Sequence, residues 1–319
     1  MPLPPLLQDR LRLPALGAPM FIVSVPALVI AQCTAGIIGS FPALNARPKE
    51  KLEEWILQIK DGLASYQAAH PEAKIAPFAV NQIAHASNDR LEHDVEVCVR
   101  QRVPIQITSL RPPAEVVKAV HSYGGVVFHD VISMRHARKA AEQGVDGLIL
   151  VCAGAGGHAG MLSPFALVPE VRRFFRGTII LSGAITTGSA ILAAQAIGAD
   201  LAYMGTRFIA TREANAQPAY KQMLLDTSAG DIVYTNLFSG VLGNYLKPSI
   251  RNAGLDPDNL PVADKSRMSF ASGGESRARV WRDIWGAGQG VGSIDDVPPV
   301  AELVARLEAQ YREARAALG

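Results

Sequence analysis

Cysteine is scarce in this 319-residue chain: Cys33, Cys98 and Cys152 are the only three, and no two stand in CxxC spacing. An odd number without that spacing supports neither a disulfide framework nor a zinc site, and a reducing, cytoplasmic setting is expected. An excess of one charge is also missing. The 31 Lys+Arg nearly balance the 29 Asp+Glu, and neither sign forms a block; nucleic acid and acidic membrane surfaces are therefore not expected as partners. Long apolar runs are absent too. GLILVCAGAGG, beginning at Gly147, is among the longest and falls short of the roughly 20 residues of a membrane-spanning helix. The opening MPLPPLLQDRLRLPAL puts Pro, Asp and Arg where a signal peptide needs an unbroken apolar stretch, so no signal peptide is expected. His70, His85, His93, His121 and His136 form no HxxxH or HxH pattern, and no GxSxG elbow occurs; no metal is expected. These absences leave a soluble protein whose partner is a small molecule.

What is there is a large core. Hydrophobic residues make up 49% and charged residues 19% of the chain, which excludes disorder, collagen and coiled coils. Short apolar, β-branched runs recur, each followed by a segment of helical period, the signature of βα units. Eight strands are expected: ALGAPM (15–20), GIIGSF (36–41), IAPFAV (75–80), PIQITS (104–109), VVFHDV (126–131), GLILVC (147–152), TIILSG (178–183) and LAYMGT (201–206). Seven helical segments lie between them. Eight near-continuously apolar strands favour a closed (β/α)8 TIM barrel over an open doubly wound sheet. The rhythm stops after Arg212, so residues 1–212 and 286–319 are assigned to the barrel. Residues 213–285, turn-rich and without a clear strand, are expected to form a small helical or irregular domain covering the substrate. AELVARLEAQYREARAAL, residues 301–318, has helical spacing and is expected to pack on the barrel or on a second copy of the chain in a homodimer.

Barrel chemistry gathers at the C-terminal ends of the strands. There the sequence places Pro19-Met20, Ser40-Phe41, Asn81-Gln82, Thr108-Ser109, His129-Asp130, the loop AGAGGHAG, Ser182-Gly183-Ala184 and Met204-Gly205-Thr206. The last two, with Thr186-Thr187-Gly188, suit a phosphate cradle, because glycine lets backbone N–H groups approach closely. The glycines at 154, 156 and 157 match GxGxxG only loosely and do not open the chain, so a dinucleotide fold is not expected. His158, flanked by Gly154, Gly156, Gly157 and Gly160, is the candidate for proton chemistry. His129 and Asp130 are read together as an acid/base pair, a cofactor contact, or a buried histidine bonded to backbone.

In combination these segments resemble the flavin-dependent nitronate monooxygenases, also called 2-nitropropane dioxygenases. The resemblance runs through APMFIVSVPALVIAQCTAGIIGSF, PFAVN, HARKAAEQGVDGLIL, AGGHAG, LSGAITTG, MGTRFIAT and GAGQGVG. It implies FMN, with its phosphate at Ser182, Gly183, Ala184, Gly205 and Thr206 and its ring near Ala18, Pro19, Met20 and Asn81. Gln106, His129, Gly157, Met204 and Gln289 complete the implied cofactor contacts, and His158 is implied as base or anion-positioning group. The implied reaction converts an alkyl nitronate and O2 to a carbonyl compound and nitrite. Three positions depart from the family pattern: Phe21-Ile22 replaces paired glycines, Ala184 replaces a second glycine, and Asp130 stands where a lysine is common. Two other readings are open: an FMN-dependent NAD(P)H:quinone or enoyl-acyl-carrier-protein reductase, and a flavin-free barrel binding a phosphate ligand. Lys247, Arg251, Lys265 and Arg267 would be the nearest cations for a dinucleotide, though dispersed charges more often serve solubility.

Overall fold

Runs of Val, Ile and Leu that can be buried on both faces favour the centre of a parallel sheet. The computed structural model describes residues 3–111, 114–261 and 283–319. Eight such runs form one parallel sheet: β1 (Ala15–Gly17), β2 (Gly39–Pro42), β3 (Phe78–Ala84), β4 (Ile105–Leu110), β5 (Val126–Val131), β6 (Gly147–Val151), β8 (Thr178–Ser182) and β9 (Leu201–Met204). A two-residue strand, β7 (Gly157–His158), belongs to another sheet. The order is β1-β9-β8-β6-β5-β4-β3-β2, and a parallel bridge between Leu16 and Ile38 brings the two ends together. Gly17 N donates to Ile38 O at 2.8 Å and Ile38 N to Ala15 O at 3.2 Å. The expected TIM barrel is present.

Helices alternate with the strands: α1 (Pro26–Thr34), α2 (Lys51–Ala69), α3 (Leu91–Arg100), α4 (Ala114–His121), α5 (Met134–Glu142), α6 (Pro164–Arg172), α7 (Gly188–Ala196) and the short α8 (Thr206–Ile209). Local chemistry starts several of them. Pro26 stands at the first turn of α1, where its missing N–H costs nothing. The hydroxyls of Ser133 and Thr187 accept from His136 N and Ala190 N at the starts of α5 and α7, satisfying donors the helix leaves unpaired.

The two-residue period of a strand sorts the core into two layers. Leu16, Ile38, Ala79, Ile105, Ile107, Phe128, Ile149, Ile180 and Leu201 fill the barrel. Val127, Leu148, Leu150, Ile179, Leu181 and Ala202 face the helices. This alternation decides which strand residues reach the mouth.

Within 213–285 the described residues form α9 (Pro218–Leu225), β10 (Ile232–Thr235), β11 (Gly243–Leu246) and α10 (Lys247–Asn252). β10 and β11 pair antiparallel, and β11 also pairs with β7, setting Gly243 against His158 and Asn244 against Gly157. The hairpin was not expected. IVYT and GNYL are four residues each and carry no strong alternation, so the turn signals around them dominate the pattern. Lys265 and Arg267 lie outside the described residues. The C-terminal helix, Val300–Ala317, buries Val300, Leu303, Val304 and Leu307. It rests on α7 through Gly188 N to Gln310 Oε1 at 2.9 Å and Tyr311 OH to Gln195 Oε1 at 2.5 Å. Among the described residues no helix is long and apolar enough to cross a membrane.

Candidate active site

The strand ends open into a cavity of about 490 Å³, within the usual range for a cofactor or small-ligand site. Ala18, Pro19 and Met20 enter from β1, Asn81 from β3, Ser109 from β4, Asp130 from β5 and Tyr203 from β9. The loop after β6 contributes Gly154 to Ala159, and the loop after β8 contributes Ser182 to Thr186. Tyr220, Phe238, Ser239 and Trp285 close one side, with Tyr220 and Trp285 stacked at 4.9 Å between ring centroids.

Glycine's role here divides into positions that are crowded and positions that are open. Gly183 has φ of +142°, and a Cβ there would lie 2.7 Å from Ala153 O. A Cβ on Gly156 would meet Gly288 N at 2.8 Å, and one on Gly288 would meet Gly154 O at 2.5 Å. Such spacings admit no side chain, so these residues let three loops pack together. Gly157 and Gly205 differ. A Cβ on Gly157 meets nothing within 4 Å, and one on Gly205 has Ala18 Cβ at 3.6 Å and Met20 Sδ at 3.8 Å as its nearest neighbours. Both border the cavity, so the crowded glycines build a frame and the open pair leaves room for a ligand.

Part of the expected cradle has protein partners. Thr186 Oγ1 meets Ser293 Oγ at 2.6 Å, Thr187 caps α7, and Gly188 N is held by Gln310. Thr206 borders the cavity while its hydroxyl accepts from Gly288 N at 2.9 Å. Gln289 acts through its backbone: its N–H donates to Gly154 O at 2.9 Å, and its exposed side chain does not line the cavity. Three further expected contacts are not brought to the mouth. Gln106, His129 and Met204 are wholly buried or nearly so and fall on the helix-facing side of β4, β5 and β9, opposite the inward residues of each strand.

His129 and Asp130, read together in the sequence, separate by the same alternation. His129 Nδ1 lies 2.8 Å from Thr108 Oγ1, and burial, with His136 nearby, holds its pKa down at about 4. Its ring is directed away from the cavity and is uncharged at neutral pH. Asp130 turns into the cavity. Asn81 Nδ2 donates to Ser109 Oγ at 2.9 Å, and Ser109 Oγ donates to Asp130 Oδ2 at 2.6 Å. Burial pushes Asp130 up to about 7, and the Ser109 hydrogen bond offsets this only in part. This chain of three was legible only as the inward set of adjacent strands.

His158 reaches the cavity from β7. Its Nε2 lies 2.7 Å from Ser239 Oγ. Ser239 Oγ also lies 3.0 Å from Val241 O and 3.4 Å from Tyr245 OH. The loop around His158 is tied to the 232–246 hairpin by Asn244 Nδ2 to Ala155 O and Tyr234 OH to Ala159 O, both at 2.7 Å. The hairpin therefore fixes the histidine, a role its sequence gave no sign of.

A family model described as nitronate monooxygenase matches residues 11–310. A nitronate monooxygenase of Paraburkholderia phytofirmans is 25% identical, over 94% of this chain and 92% of that protein. The solved structure of FabK from Thermotoga maritima superimposes with a TM-score of 0.76 at 26% identity, covering 98% of this chain and 96% of that one. A nitroalkane oxidase structure from Streptomyces ansochromogenes, 24% identical, shares the fold with a TM-score of 0.79 over 98% of this chain and all of its own.

Proposed function

Since the chain belongs to the nitronate monooxygenase family and is an oxidoreductase, we propose that it oxidises small alkyl nitronates with FMN and O2, yielding a carbonyl compound and nitrite. Bound FMN would supply the electron-accepting chemistry, which no side chain of this cavity offers. The observation that carries the reading is the pairing of crowded and uncrowded glycines: Gly183, Gly156 and Gly288 lock the loops, while a Cβ would make only ordinary contacts at Gly205 and none at Gly157.

Ser182, Gly183, Ala184, Gly205 and Thr206 would hold the phosphate, and Ala18, Pro19, Met20 and Asn81 the ring. A nitronate already carries its charge, so the site needs a group that orients an anion more than it needs a strong base. His158, anchored on Ser239, supplies that group. The apolar wall of Phe238, Tyr220 and Trp285 limits water and strengthens each polar contact inside. Small size is favoured over a dinucleotide donor, since Lys247 and Arg251 both face Asp258, at 2.7 and 3.7 Å.

The cofactor test uses position 205, because a Cβ there makes only ordinary van der Waals contacts, with Ala18 and Met20. Gly205→Asp places a carboxylate in the cradle without steric conflict and is expected to weaken flavin retention about a hundredfold or more, a change of about 3 kcal/mol. Gly205→Asn, of equal size and no charge, should retain far more. Chromatography of the flavin released from the wild type should give FMN. Release of FAD, or equal retention by both variants, would contradict the proposed phosphate site.

A further inference from the structure

We propose that Asp130 sets the charge specificity of the mouth: a small oxyanion binds there together with one proton, which Asp130 takes up. The inference rests on the nitronate reading and concerns the same cavity.

The geometry gives Asp130 little support as an anion. Its Oδ2 receives one hydrogen bond, from Ser109. Its Oδ1 has no hydrogen-bond partner and is closed off from water. Among the described residues no lysine or arginine lies within ion-pair distance of it. A carboxylate with one oxygen closed off and a single hydroxyl holding the other is costly, and the cost falls away on protonation.

Other titratable groups do not replace it. His129, on the same strand, faces the helices and stays neutral above about pH 4. Tyr203, from β9, is held un-ionised by burial and by Asp130 itself. His136 from α5, His158 from β7 and Arg47 from the segment after β2 line the cavity, and Arg47 is exposed at its rim. A second anion entering this cavity meets either a carboxylate, which it repels at short range, or a neutral carboxylic acid, which it does not. Two like charges in one sheltered site resolve by protonation of the weaker acid. A lysine at this position would hold an anion at any ordinary pH. Asp130 does so only with a proton. Neutral ligands escape this constraint, so the cavity keeps them at alkaline pH while it loses anions.

Burial places the free carboxyl near 7, and a bound anion raises it further. The sign follows: anion affinity is full below about pH 7 and falls about tenfold per pH unit above it, as the proton is lost from the unliganded site. The probe is propionate, a planar carboxylate shaped like a nitronate and not oxidised at this site. Its binding to the flavin-loaded protein is read from flavin absorbance between about pH 5.5 and 8.5, and proton uptake from calorimetry in two buffers of different ionisation enthalpy.

In the wild type, Kd should rise about tenfold per unit above pH 7, with uptake approaching one proton per propionate. Asp130→Asn should bind with a flat profile and no uptake, His158→Asn should keep the wild-type slope, and Ser109→Ala should move the break to higher pH. A wild-type slope retained in Asp130→Asn, or a wild type that takes up no proton above pH 7, overturns the assignment. If nitronates still reduce the flavin in that case, the functional reading stands without it. Failure of propionate and nitronates alike to bind at any pH overturns both.

Discussion

Ile22 is a β-branched residue with φ of +68° at the rim of the cavity, where left-handed backbone costs an L-residue about 1–2 kcal/mol. Its neighbours hold it there: Ile22 N donates to Asn45 Oδ1 at 2.9 Å, and Asn215 Nδ2 donates to Ile22 O at 3.1 Å. At ordinary positions alanine is more stabilising than glycine. Here the order should reverse, with Ile22→Gly more stable than Ile22→Ala by about 1 kcal/mol in denaturant melts; the ordinary order would show that position 22 carries no strain. His158 offers a second test at this scale. His158→Asn deletes a polar ring from a half-buried loop without opening the core, so it should fold and keep flavin while turnover falls about a hundredfold to ten-thousandfold. Unchanged nitronate turnover would return His158 to a loop-anchoring role through Ser239. Placement at the mouth was readable residue by residue: Ala18, Pro19, Met20, Asn81, Gly157, His158, Ser182, Gly183, Ala184, Gly205 and Thr206 all border the cavity. Gln106, His129 and Met204 were assigned by position in a motif, whereas the period of the strand decides the direction of a side chain. Applied to VVFHDV, with Phe128 inward, that period selects Asp130 over His129.

Strands and helices that bury a continuous apolar face announce themselves, and those that depend on partners far along the chain do not. The eight barrel strands fall where apolar runs predict them, with ends displaced by a few residues. β7, β10 and β11 total ten residues and exist because each supplies hydrogen bonds to another. The dock of the C-terminal helix is a similar case. α7 begins at Gly188, and a Cβ there would fall inside the van der Waals shells of Leu307 O and Tyr311 N. The glycine thus sets the closest approach of two helices more than 100 residues apart in sequence. Gly188→Ala should force that contact open and destabilise the protein by about 3 kcal/mol, the upper end for overpacking, with cleavage in 300–317 appearing early in limited proteolysis. Wild-type stability would mean that the helices slide past the added methyl. The same substitution at Gly157, where a Cβ meets nothing, carries no steric cost, although its φ of +65° still penalises alanine.

For the whole molecule, closure of the barrel brings residues from all eight barrel strands or the loops that follow them, from β7 and from the 232–246 hairpin to one cavity. Fold class was legible because strand number is a count, robust to errors at each end. The arrangement over the mouth was less so, since it depends on long-range pairing such as Gly243 with His158. The cavity that results combines His158 held against Ser239, a carboxyl whose pKa burial raises to about 7, and loops locked together by crowded glycines. The proposed function turns on which molecule delivers electrons to the bound flavin. A nitronate would need only a mouth of this kind, whereas a nicotinamide dinucleotide needs a cationic groove for its pyrophosphate. Among the described residues Arg47 is the one Lys or Arg that lines the cavity, and Lys247 and Arg251 lie off it, paired with Asp258. The direct measurement is anaerobic stopped-flow mixing of the flavin-loaded protein with an alkyl nitronate and, separately, with NADH. Rapid bleaching of the flavin by the nitronate and slow bleaching by NADH is the predicted result; rapid bleaching by NADH with no response to nitronate would contradict the account and make the protein a reductase.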